Sequence, residues 1–256
     1  PIVRRRRRLK WTALPAPAQW QSWLGQHITI YPRMPQTLRE RLLGLMQIFL
    51  REKSFVGCNE LVVTEEMRVV VAAYACLLVA NRPGVPREHL YDDLLSILIY
   101  PTAFIVHESD EEDGIVTEGH RVLSGQAWDS RRIILSWEDV RESTLEPENV
   151  VLHEFAHYLD MEDETMDGAP GLGSTAAYEE WSQVFWDEYE RLAAAVDEGR
   201  DTLLDPYAAT EPAEFFAVAT ETFFHQPREL RTRHPKLYEQ LMNYYRIDPA
   251  SWDEAG

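Results

Sequence analysis

Residues 150–160 read VVLHEFAHYLD, and within them His153, Glu154 and His157 spell HExxH. Residues four apart on a helix share a face, so the two histidines project together and Glu154 is offset toward whatever they bind. That arrangement suits a zinc ion held by two imidazoles, with a carboxylate poised beside a water. Val150, Val151, Leu152, Phe155 and Ala156 are apolar around it and would bury the helix. HExxH fixes only three residues and arises by chance in on the order of one chain in a hundred. The flanking sequence must carry the rest.

A hydrolytic zinc site takes three protein ligands and keeps one position open, so a further ligand is needed downstream. The pattern HExxHxxGxxH fails, because Asp160 and Asp163 stand where its glycine and third histidine belong. His225 and His234 are isolated. Residues 210–224, TEPAEFFAVATETFF, place Glu214 and Glu221 two turns apart on one face of an apolar helix. A carboxylate among Phe215, Phe216, Phe223 and Phe224 needs a partner, and a dication is a good one. Glu214 is the candidate third ligand. Glu221 is an alternative ligand or a support for a ligand imidazole, and either could instead reach solvent or cap a neighbouring helix. Asp160, one turn beyond His157, is placed to orient an imidazole or to serve a loop or cap.

Working outward, Leu38, Leu42, Leu45, Met46, Ile48 and Phe49 recur at helical spacing and predict a helix over 36–53. Thr64 opens a second over 64–81 with a partial capping box, Met67 standing where a glutamate is usual. A short helix is expected near 88–97. TAFIVHE (102–108) and RRIILSW (131–137) read as strands, with the acidic ESDEEDG between them as a solvated hairpin loop or turn whose spacing fails the calcium-loop template. Pro147 suggests the start of the HExxH helix. Further helices are expected over 175–196, from Pro212 to before Pro227, and as a pair over 228–246. The fold class is α+β: mostly helical, with a small sheet beside the HExxH helix. Prolines and tryptophans over 11–35 suggest an irregular N-terminal segment, residues 1–35, ahead of one domain over 36–256.

Net charge is −18, although six of the 25 basic residues, Arg4–Arg8 and Lys10, lie among the first ten positions, leaving 19 basic against 43 acidic residues elsewhere. So acidic a body should repel nucleic-acid phosphates, and no direct nucleic-acid binding is expected. The arginine run invites a DNA arm, a membrane tether or an export signal, but reads more simply as a solvated, disordered end. No apolar run is long enough to span a bilayer. Cys58 and Cys76 offer neither a disulfide framework nor a cysteine–zinc site, and a reducing cytoplasm fits best.

HEFAHYLD (153–160) followed by YAATEPAEFFAVATETFF (207–224) resembles the Mlc titration factor family of zinc metallopeptidases, and more distantly the catalytic domain of anthrax lethal factor. The likeness extends in order through 55–78, 90–104, 125–140 and 149–172, so roughly residues 50–225 are involved. It implies a zincin-like fold, one zinc ion per chain, and the gluzincin ligand set His153, His157 and Glu214. It also implies Tyr207, seven residues before Glu214, as an oxyanion stabiliser, with Glu154 as general base. Aminopeptidase-type activity is associated with the family, although no GxMEN-type segment for gripping a free amine is present. The family is named for sequestering the glucose-responsive repressor Mlc, so a repressor-binding role stands beside hydrolysis. Its pattern lacks the arginine run and has a shorter, less acidic loop where MEDETMDGAP stands.

Overall fold

A computed structural model describes residues 2–102, 131–143, 148–163 and 165–252. In chain order its helices and strands are α1 (Ile2–Thr12), α2 (Ala18–His27), α3 (Gln36–Glu52), β1 (Ser54–Gly57), α4 (Glu65–Leu78), β2 (Ser96–Tyr100) and β3 (Arg132–Ser136). There follow α5 (Trp137–Glu142), α6 (Val150–Asp160), α7 (Thr175–Asp197), α8 (Pro212–His225), α9 (Pro227–Arg233) and α10 (Pro235–Tyr245). Helices therefore dominate, and the expected small sheet precedes the HExxH helix.

That sheet is wholly parallel, in the order β1-β2-β3, with Val56, Leu98 and Ile134 in register. Parallel neighbours need a crossover, and α4 supplies it between β1 and β2. Since β2 and β3 run parallel, a hairpin does not relate them; the ESDEEDG loop and most of TAFIVHE lie outside the described residues. The short helix expected near 88–97 is absent. His89 and Tyr91 adopt left-handed backbone, φ 61° and 51°, which stops a helix, and Ser96–Tyr100 is strand. Tertiary contacts hold this bend. Buried Lys53 donates its Nζ to Tyr91 O and, at 2.8 Å, to Leu94 O, while Tyr91 Oη donates to Ala75 O at 2.7 Å.

Capping fixes the helices that matter most for the site. Thr64 Oγ1 accepts from Met67 N at 3.2 Å, and Met67 Sδ accepts from Thr64 N at 3.4 Å, so a thioether takes the place of the usual carboxylate. α6 starts at Val150, later than Pro147 suggested, because Asn149 is its cap: Oδ1 accepts from Leu152 N at 2.9 Å. Pro147 itself is outside the described residues. α6 packs on β3, α4 and α8. Phe155 meets Phe49 and Tyr91 at ring separations of 5.9 and 5.0 Å, which anchors the apolar side of the metal-motif helix.

The N-terminal segment differs from expectation. Within residues 2–35 two helices form, α1 and α2, and Trp20, Leu24, Ile28 and Tyr31 belong to the same buried cluster as Phe155 and Phe216. Nor is the arginine run a disordered end: it is helical, with Arg5, Arg6 and Arg7 exposed and Arg8 turned inward. Arg8 is fully buried, its guanidinium 2.7 Å from Glu52 Oε2 and 2.5 Å from Asp92 Oδ1, and Arg4 reaches the same two carboxylates. Arg4 and Arg8 sit one helical turn apart, so one face of the run docks α1 on Glu52 and Asp92. No described helix is long and apolar enough to cross a membrane.

Burial alone would raise the Glu52 carboxyl, but hydrogen bonds from Arg8 and Arg4 outweigh it and hold its pKa below the ordinary range. A lowered carboxyl pKa stabilises the fold at pH above the ordinary value of 4.5, and the contribution is lost as pH falls through the folded value. Arg8→Met should lower unfolding free energy at pH 7 by about 3 kcal/mol in urea titrations. The deficit should shrink in acid, and Glu52→Gln should show a flatter acid limb than the parent. Unchanged stability in Arg8→Met would remove the pair from the fold's energetics.

Candidate metal centre

α6 and α8 run antiparallel, which follows from their contacts. Asn149, at the start of α6, meets Glu221 and His225 near the end of α8, whereas His157, in the last turn of α6, meets Glu214 in the first turn of α8. Three ligand-type atoms converge between them. His153 Nε2 lies 3.1 Å from His157 Nε2 and 3.0 Å from Glu214 Oε2, and His157 Nε2 lies 3.4 Å from the same oxygen. These residues form the one group of its kind found among the described residues.

The spacing suits a shared metal ion. Ligand atoms about 2.0–2.1 Å from a tetrahedral ion stand roughly 3.3 Å from one another. Glu214 Oε2, although 3.0 Å from His153 Nε2, makes no aligned hydrogen bond, while the two imidazole Nε2 atoms face each other at 3.1 Å. Burial makes that centre electrostatically demanding. Glu154, Glu214, His157 and Glu221 are all buried, and His153 is nearly so. Burial would raise the Glu214 carboxyl, yet the two imidazoles hold it well below the usual range, so it stays ionised as a ligand must. Burial would lower His153, but Glu214 and then Glu221 raise it well above the ordinary value. Carboxylates crowding two imidazoles call for a cation at their centre.

Glu154 does not join the ligand trio. Its carboxyl is pushed up by burial, against which the neighbouring histidines act in the opposite sense. It lies close enough to His153, His157 and Glu214 for their charges to act on it. Tyr207 sits on a 3-10 turn, Pro206–Ala209, whose backbone is fixed from both sides: Asp205 Oδ1 accepts from Tyr207 N at 2.7 Å, and Tyr189 Oη donates to Ala209 O at 3.0 Å. Tyr207 is 47% exposed, its ring 6.4 Å from that of His153. Partial burial, then the charge and hydrogen bonding of Glu214, push its phenol up to about 12, so it remains a donor.

Glu221 Oε1 lies 2.7 Å from His153 Nδ1, and its other oxygen accepts from Asn149 N. The carboxylate thereby ties the imidazole to the cap of its own helix, on the side away from Glu214. Asn149 Nδ2 in turn lies 3.3 Å from His225 Nε2, and burial lowers that imidazole to about 4. Asn149 and His225 were not foreseen as part of the site, although Glu214, Glu221 and His225 share a helical face and that spacing was available in the sequence. Asp160 orients neither ligand imidazole by a direct bond. His157 Nδ1 has no hydrogen-bond partner among the described residues, and Asp160 Oδ2 accepts from Gly168 N at 2.9 Å, which is the loop role.

Comparison with known proteins agrees with this geometry. The sequence profile of the glucose-regulated metallo-peptidase M90 family matches residues 2–246. The chain is 40% identical over 240 residues to an uncharacterized protein of Synechocystis sp., covering 92% of this chain and 86% of the relative. It is 34% identical over 239 residues to Mlc titration factor A of Serratia proteamaculans (91% and 88% covered) and 33% over 234 residues to that of Pectobacterium atrosepticum (90% and 86%). With its two histidines and a glutamate converging on one point, this chain belongs to the M90 family of metallopeptidases.

Proposed function

We propose that the chain is a zinc-dependent peptidase of aminopeptidase type, binding one zinc ion through His153, His157 and Glu214. The convergence of their three ligand atoms carries the reading. Two imidazoles and one carboxylate form a donor set suited to catalytic zinc. Bound there, zinc supplies Lewis acidity and brings the pKa of water toward about 7.

The chain's own groups do the remaining work. Glu154, buried beside the trio, accepts the proton of the attacking water as the carbonyl carbon is attacked, and returns it to the leaving amine. Tyr207 donates from its phenol to the oxyanion that develops; its fixed backbone and raised pKa support that role. Glu221 holds the His153 ring through Nδ1, leaving Nε2 for the metal. β3 is at the edge of the described sheet, and an extended peptide adding there would lie beside α6. Two free cysteines accord with a cytoplasmic setting.

Purified protein should contain about one zinc per chain. Glu214→Ala should lose it, and metal analysis showing undiminished zinc would sink the third-ligand assignment. Glu154→Gln should keep zinc while hydrolysis falls by at least about a hundredfold; normal turnover would remove Glu154 as the base. Aminoacyl 4-nitroanilides with a free amino terminus should be cleaved in preference to their N-acetylated forms. The reverse ranking would mark an endopeptidase.

The names of the Serratia and Pectobacterium relatives favour a second role, titration of an Mlc-like transcriptional repressor. Repressor retained on immobilised Glu154→Gln protein is the expected result if binding is separable from chemistry. Absence of retention on both parent and variant would leave hydrolysis as the sole role.

A further inference from the structure

Gly168 lies among three elements, each of which touches it differently. Asp160, the buried last residue of α6, accepts from Gly168 N at 2.9 Å. Trp181 of α7 donates its Nε1 to Gly168 O at 2.8 Å; that indole is 1% exposed, stacked on Phe185 and edge-on to Phe216 of α8. On its third side the glycine meets the start of α8. A Cβ placed on Gly168 would fall 2.5 Å from Pro212 O and 3.0 Å from Pro212 C, with φ at +80°. The close approach needs a bare Cα as well as a left-handed backbone.

Pro212 is the first residue of α8, and Glu214 stands in the same turn, which the bond from Phe215 N to Glu211 O closes at 3.0 Å. A displacement of Pro212 therefore moves the Glu214 backbone with it. We propose that Gly168, held by Asp160 and Trp181, is the spacer that sets the separation between the HExxH helix and the start of α8, making Gly168 and Asp160 positioning residues for the metal ligand Glu214. The proposal rests on Glu214 being a metal ligand. Relieving a 2.5 Å contact to ordinary van der Waals distance needs a shift of roughly 1 Å. The three ligand atoms are only 3.0–3.4 Å apart, so a movement of that size spoils their convergence.

Gly173 provides the control. Its φ is +81°, matching Gly168, and nothing lies within 4 Å of a Cβ placed there. Both alanine substitutions thus carry the same left-handed backbone cost, and only Gly168→Ala presses on Pro212. Zinc affinity by chelator competition, and the visible spectrum of the cobalt(II)-loaded protein, should be measured for both variants, with melting of the metal-free form as a check of folding. Gly168→Ala should bind zinc about 10–100-fold more weakly and show an altered cobalt spectrum. Gly173→Ala should bind like the parent. Should Gly168→Ala fail to fold, Asp160→Ala and Asp160→Asn decide: the alanine variant weakens binding, and the asparagine, which keeps an acceptor oxygen, restores it. Equal affinity in the two glycine variants, or in the two Asp160 variants where those decide, overturns the spacer. Undiminished zinc in Glu214→Ala would instead overturn the ligand assignment on which it rests.

Discussion

Between α6 and α8, three carboxyl groups and two imidazoles share one buried volume, and nothing apolar nearby can satisfy them. Glu214 is ionised there against the effect of burial, and His153 is drawn toward positive charge by Glu214 and Glu221. A buried cluster of this sign is costly without a cation, and removing one partner from it would leave the others uncompensated. The fold therefore has to hold the two helices at a fixed distance and register. A slip of one residue on α8 would rotate Glu214 by about 100° away from the histidines.

Much of the remaining structure serves that registration. On one side, Phe155 packs against Phe49 and Tyr91; on the other, Trp181 and Phe185 pack against Phe216 and Phe215. The bend that places Tyr91 depends on Lys53, which satisfies two carbonyl groups that no helix or strand uses. Burial lowers the Lys53 ammonium to about 8, while neighbouring Glu52 favours its charged form. Glu52 in turn is held by Arg8 and Arg4 from α1, so the basic N-terminal helix is linked through the last residue of α3 and the adjacent Lys53 to the backbone beneath the metal helix.

The metal trio was legible because its information is local: HExxH fixes a helix face, and two glutamates in a phenylalanine-rich helix announce a buried partner. The long helices were legible for the same reason, since the apolar periodicity of α3, α7 and α8 matches their observed extents closely. What sequence reading missed depends on distant contacts. The spacing of residues 88–97 suits a helix, but Lys53 and the Ala75 carbonyl hold His89 and Tyr91 in a bend. β1 is four residues long, too short for a periodic signal, and is defined by pairing with β2. The arginine run looked like a tail because its partners, Glu52, Asp92 and Glu88, lie more than forty residues away.

Helix polarity adds a reason for the antiparallel arrangement. Glu214 occupies the first turn of α8, where unpaired amide groups and the positive end of the dipole favour a carboxylate. His157 occupies the last turn of α6, near the negative end of that helix, which favours an imidazole facing a cation. Antiparallel packing brings these two ends together. A parallel pair would set Glu214 beside the start of α6, two turns from His157, and move Glu221, the support of His153, to the far end of the contact. The same geometry places Asp160, one turn past His157, beside the loop that leads toward α7, so the residue after the motif holds Gly168 instead of an imidazole. The candidate ligands are thus written in HExxH and in Glu214, whereas on the spacer proposal their separation is set by the loop that carries Gly168.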